Sequence, residues 1–356
     1  IAPSGMTKAF FLNSGSEAID TAIKFAWYYN NGRGLRDKKK IISRLRGYHG
    51  VTVAGGSLTA IPLMQNDFDL PLDRMKQTDT PNFYRFGDSG ESEEAFSTRL
   101  ADSLEQLILQ EGPETVAAFV AEPVMGAGGV ILPPATYFQK IQVVLDKYDI
   151  LLVADEVICG FGRTGNMWGC NTYDIRPDMV TCAKQLSSGY LPISAVMISE
   201  KIYDVFKEQS RKHGAFGMGY TYGGHPVSCA VALETLKIYE ERDMIGHVQS
   251  VAPHFLERLS ELSDSSIVGE ARGVGLIAAL ELVSDKSSRA QFSPDAKAAP
   301  AIAASALARG LVVRALPGDV IGICPPLIIE NTQVDELFDK LAAAVTETEA
   351  LLRKAA

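Results

Sequence analysis

The chain holds 356 residues, 46% of them hydrophobic and 22% charged, so it can bury a large core and disorder is not its main state. Its formal net charge of −9 argues against nucleic acid or an anionic membrane as partner. Its five cysteines form no C-x-x-C pair, and no apolar run reaches bilayer length, which together lead us to expect a reduced, cytoplasmic protein.

The chain opens on IAPSGMTKAF, without an initiator Met or a signal-peptide pattern, so targeting is not readable from it. SGSEAIDTAIKFAWYYNNG predicts a helix: Ser14 and Ser16 offer caps, and Ala18, Ala22, Phe25 and Ala26 make an apolar face. KKKIISRLRGYHG (38–50) predicts a short strand ending in a glycine-bounded turn, and the Asp/Ser/Glu-rich stretch 87–97 a loop. VAAFVAEPV, ILLVADEV, MVTCAK and ISAVMIS then follow as apolar strands, separated by helices such as PPATYFQKIQVVLDKYD. Continuous apolar strands alternating with helices imply an α/β fold with a mostly parallel sheet covered on both faces.

From HPVSCAVALETLKIYEERDMIGHV onward the pattern changes. A long helix, a second helix, an apolar strand pair at EARGVGLIAALELV, an Ala-rich helix (295–309), two short strands and a C-terminal helix suggest a smaller α/β unit. We place the boundary inside the long helix, giving a large domain 1–235 and a small domain 236–356.

Ligands of open parallel sheets collect at the carboxyl ends of the strands. Three such ends carry ionisable residues here: Glu122 after VAAFVA, Asp155 after LLVA, and Lys184 after VTCA. An ordinary salt-bridge cluster would use the same residues, and a lone lysine commonly snorkels to solvent. A desolvated lysine, by contrast, loses its proton readily and becomes a nucleophile toward an aldehyde. Gly15 and Ser16 stand where a helix begins, so the hydroxyl and the free N–H groups either cap that helix or hold a phosphate. A lysine for an aldehyde, a helix start for a phosphate and a carboxylate for a ring nitrogen together suit pyridoxal phosphate. Asp155 would then face the pyridinium N–H⁺, while Glu156, one residue on along a strand, points the other way to a structural partner.

GFGRTG (160–165) matches a dinucleotide-binding pattern, but Asp155 and Glu156 stand just before it, where they would repel a pyrophosphate. The five histidines show no metal-ligand spacing, so no metal is expected. Tyr48–His49 offers an aromatic face for stacking or caps a turn, and Arg314 either binds a carboxylate or lies on the surface.

At this point NSGSEA, RGYHG, AEPVMGAGG, LLVADEVICGFGRTG, CAKQLSSGYLPIS, TYGGHPVSCA and LVVRALPGDVIGICPPL stand in one order along nearly the whole chain. In that order they resemble the class III (omega) aminotransferases of the aspartate aminotransferase fold, the pyridoxal-phosphate fold type I. The resemblance implies that Lys184 holds the cofactor aldehyde and carries the proton, and that Asp155 pairs with the ring nitrogen. It implies Val157 on one ring face and Tyr48 on the other, with Tyr48 also bordering the substrate. Gly15 and Ser16 would bind the phosphate together with Thr221 from a second subunit, so a homodimer is implied. Glu122 would stand near the cofactor, and Arg314 would take a substrate carboxylate. Family members carry on the order of a hundred further residues ahead of the NSGSEA helix, so an N-terminal segment is expected to be missing here.

The implied activity is transfer of an amino group from a primary amine or omega-amino acid to a keto acid, with pyruvate the acceptor expected, by a ping-pong cycle. An aminomutase of the glutamate-semialdehyde type would share Lys184, Asp155 and the phosphate helix. A cofactor-binding dimer without turnover is the third expectation, against which the intact Lys184 and Asp155 speak.

Overall fold

The computed structural model describes residues 1–355. Seven strands build the main sheet: β1 (Met6–Leu12), β2 (Lys40–Arg44), β3 (Met75–Thr78), β4 (Val116–Ala121), β5 (Leu151–Asp155), β6 (Met179–Cys182) and β7 (Ser194–Ser199). Their spatial order is β1-β7-β6-β5-β4-β2-β3. Only β7 is antiparallel to its neighbours; the other six strands run in one direction.

Every residue of β4 and β5 is buried, as strands covered on both faces require. Leu151 and Val153 of β5 join the core beneath helix α1 (Gly15–Gly32), whereas Leu152 and Ala154 face the opposite layer. That layer is built by helices Glu93–Glu111 and Tyr137–Lys147, whose Phe96, Leu104, Phe138 and Ile141 lie in the same core. The two-residue period therefore carries Asp155 toward the α1 face and Glu156 toward the other.

Four antiparallel strands form the second sheet, in the order β10-β11-β9-β8. They are β8 (Val268–Val274), β9 (Ile277–Leu282), β10 (Arg314–Leu316) and β11 (Val320–Ile323). Helices Met244–Glu261, Ala298–Ala308 and Asn331–Ala355 accompany this sheet, and helix Pro226–Glu241, which contains residue 235, leads into it. Leu280, Phe255 and Phe338 share one apolar cluster with Phe119 and Phe138, so the two sheets are joined by a continuous core.

Several elements were not anticipated. Strand β1 is mostly exposed on an edge of the sheet and lacks a clean alternation. The stretch expected as a loop over 87–97 turns helical at Glu93: Ser92 Oγ accepts from Ala95 N at 3.1 Å, and Glu93 and Glu94 suit the positive helix start. Strand β3 and helix Glu200–His213 were likewise unforeseen.

Candidate active site

Because six strands run one way, the segments following β1, β2, β4, β5 and β6 leave from one edge of the sheet. Register fixes who meets whom there. Ala121 pairs with Ala154, and Asp155 with Thr181, so the ends carrying Glu122, Asp155 and Lys184 lie side by side. They line one cavity of about 390 Å³ with Gly15, Ser16, Tyr48 and Val157.

Asp155 sits at the buried end of this cavity, only 4% exposed. Its Oδ2 lies 2.8 Å from His49 Nδ1, while Oδ1 accepts from Val157 N at 3.1 Å and Thr181 Oγ1 at 3.3 Å. Three partners hold the carboxylate in one orientation. His49 is itself buried, and its Nε2 has no hydrogen-bond partner among the described residues.

Glu122 is buried beside it. Its Oε1 accepts from Tyr48 N at 3.1 Å and its Oε2 from Gly126 N at 2.9 Å, tying two loops together. Desolvation raises its pKa above the ordinary carboxylate value, and the neighbouring Asp155 charge adds to the rise. Beneath it the buried Arg44 donates from Nη2 to the Glu122 carbonyl at 2.5 Å.

Lys184 opens a short turn after β6 with φ +40°, a strained backbone for a residue with a side chain. Its side chain is exposed at the junction of the first cavity with a second one of about 450 Å³. Arg314 lines that second cavity, with no acidic residue among its walls. Among the described residues Arg314 makes no ion pair.

At the opposite wall Ser14, rather than Ser16, caps α1, its Oγ accepting from Glu17 N at 3.2 Å. Ser16 instead takes Val51 N at 3.1 Å. A Cβ at Gly15 would press on the Val157 methyls at 3.2 and 3.3 Å, and one at Gly50 (φ +100°) would lie 2.5 Å from Ser16 Oγ. Both glycines keep the slot open.

Thr221 lies on an exposed turn and lines neither cavity within this chain. Glu156 has the structural partners expected of it, accepting from Gly169 N at 2.9 Å and Cys170 N at 2.6 Å. The GFGRTG arginine, Arg163, donates to the carbonyls of Leu276 and Pro325 at 2.9 and 2.7 Å and so braces the small sheet. The pairing of His49 with Asp155 was missed in sequence: it depends on strand order, for which one Tyr–His dipeptide carries no signal.

These residues fit pyridoxal phosphate. A primary amine stands at the rim, an oriented carboxylate at the buried end, and a glycine-opened helix start on one side, in a cavity large enough for a small cofactor.

Comparison with known proteins converges on one family. The profile described as "Aminotransferase class-III" matches residues 1–345. The chain is 55% identical over 344 residues to the tomato "Gamma aminobutyrate transaminase 3, chloroplastic", covering 97% of this chain and 66% of that protein. A rice "Probable gamma-aminobutyrate transaminase 3, mitochondrial" is 53% identical, with 67% of its length covered. The chain thus spans about two thirds of the curated relatives it matches. Among solved structures, the omega transaminase from Pseudomonas jessenii in complex with PMP aligns with a TM-score of 0.97 at 49% identity, covering 99% of this chain and 78% of that one. A second, titled "Transaminase with L-ala", gives 0.96 at 54% identity over 99% of this chain and 82% of that one.

Proposed function

Because the chain belongs to the class III aminotransferases, a family of pyridoxal-phosphate enzymes of fold type I, we propose that it moves an amino group from an omega-amino acid or primary amine to a keto acid. The observation that carries this is the junction at Lys184: one exposed amine borders both the cavity of Asp155 and the cavity of Arg314.

When bound, the cofactor supplies an electron sink at the carbon that changes its proton. The chain supplies the rest. Lys184 Nζ would hold the cofactor and would move the proton at the substrate carbon. Asp155, oriented by His49, Thr181 and the Val157 N–H, would hold the proton of the cofactor's ring nitrogen. Val157 and Tyr48, which line the same cavity, would confine the ring, and the start of α1 with Ser16 would take the phosphate. Glu122 fixes the Tyr48 backbone. Arg314 takes the carboxylate of the keto acid or amino acid, and the acid-free walls around it favour an anion there.

The names of the tomato and rice relatives support a short omega-amino acid of the gamma-aminobutyrate type as donor. We propose pyruvate as acceptor. We further propose a homodimer in which the partner's Thr221 turn completes the phosphate site, a reading that the exposure of that turn within one chain supports. The domain division at 235–236 and a reducing, cytoplasmic setting belong to the same proposal, the latter supported by five unpaired cysteines. No described helix is long and apolar enough to cross a membrane.

Incubation with gamma-aminobutyrate, β-alanine or putrescine and pyruvate tests the reaction. Alanine formed in proportion to the carbonyl product supports it. Isomerised substrate without alanine would instead establish an aminomutase.

A further inference from the structure

A buried ionic cluster of the small sheet reaches across to the wall of the active site. Glu281 on β9 is fully buried, and its two oxygens are engaged by Arg85 Nε and Arg272 Nη1. Arg272, on β8 and 8% exposed, also donates from Nη1 to Glu270 on its own strand, and spends its other donors outside its sheet. Its Nε donates to Val130 O at 2.9 Å and its Nη2 to Gly129 O at 2.6 Å.

The segment it grips is unusual. Val130 has φ +48°, a left-handed backbone that a β-branched residue adopts only under constraint. A Cβ at Gly128 would overlap the Arg46 carbonyl, so the loop also presses on the segment that carries Tyr48. Gly126 and Val130 line the Arg314 cavity, and the Gly126 N–H is the one that holds Glu122 at 2.9 Å.

We propose that Arg272 is a positioning residue for the transfer reaction: fixed by Glu281 and Glu270, its guanidinium fork holds the 126–130 loop in its strained form and so sets both the substrate wall and the Glu122 carboxyl. The inference rests on the transaminase function proposed above, but one of its readouts does not. The strain at Val130 identifies the loop as a conformation that relaxes when released. The fork geometry is what a lysine lacks, since one ammonium cannot span two successive carbonyls in a fixed plane.

Arg272→Lys separates the possibilities. Hydrogen exchange on the unliganded protein should show the Gly126 and Val130 amides exchanging about tenfold faster or more, with the other strands unchanged. In the loaded enzyme the keto-acid KM should rise about tenfold while kcat changes less than about threefold, as expected when a wall moves but the reacting amine does not. Unchanged exchange over 125–131 would overturn the proposal whatever the activity, and so would KM and kcat worsening together with a general loss of stability. If Arg272→Lys does not fold, Glu281→Gln combined with Glu270→Gln removes both anchors and should give the same local exchange pattern more weakly; its absence there is equally decisive. A wild-type protein without transaminase activity would remove the KM test but leave the exchange test standing.

Discussion

His49 and Asp155, 106 positions apart in the chain, face each other with Nδ1 2.8 Å from Oδ2, both side chains shut off from solvent. The histidine is therefore one of the three partners that keep that carboxylate pointed into the cavity, and it alone holds Oδ2. We predict that His49→Leu lowers pyridoxal phosphate affinity by about tenfold, the loss of one hydrogen bond to a charged group. Titration of intrinsic fluorescence with the cofactor measures it. Wild-type affinity in that variant would remove His49 from this role.

Lys184→Ala should lose the long-wavelength absorbance that the wild-type protein gains with pyridoxal phosphate. Its turnover should fall by about 10²–10⁴-fold, the usual worth of a positioned acid–base group. A variant retaining both the band and the rate places the reacting amine elsewhere.

Arg314→Ala should weaken keto-acid binding by about 2 kcal/mol, the loss of a charge-assisted pair. Amines without a carboxylate should change far less. Equal losses for both classes, measured from KM across a substrate panel, would contradict the assignment.

Gly50→Ala tests the slot on its stability side. The new Cβ would meet Ser16 Cα at 2.8 Å and Oγ at 2.5 Å on a backbone with φ +100°. We expect a loss of about 1–3 kcal/mol in thermal or denaturant unfolding, with weaker binding of inorganic phosphate as a companion effect.

Glu156 gives stability a pH dependence. Burial pushes its pKa up to about 7, above the model-peptide range of an unfolded chain. Between those values the folded form keeps a proton that the unfolded form has released, so this group's contribution to stability falls as pH rises through the window and is level above it. The change is on the order of 3 kcal/mol. Comparing Glu156→Gln with the wild type in urea from pH 5 to pH 8 should show the slope reduced in the variant; identical slopes would rule Glu156 out as its source.

Much of the site was legible because its chemistry sits next to strand ends. Glu122, Asp155 and Lys184 each terminate an apolar run, and that local pattern announces both the strand and the ionisable residue. Register then brings the three together. What stayed hidden depends on contacts between distant segments. His49 gains its role only because β2 lies beside β4 and β4 beside β5. Arg272 reads in sequence as one more charge in a strand, and its hold on Val130 spans 142 positions. The exposed Thr221 turn shows the reverse case: the family motif names it, yet nothing within one chain gives it a role.

The one-way run of six strands has a practical consequence. Ion pairs such as Arg33–Asp149 and Lys40–Glu111 gather where β2, β4 and β5 begin, and turns near Gly34 and Gly112 lead into β2 and β4 there. Affinity handles or fluorophores grafted onto those turns would report on the molecule from its idle rim, leaving the opposite rim undisturbed for immobilised assays.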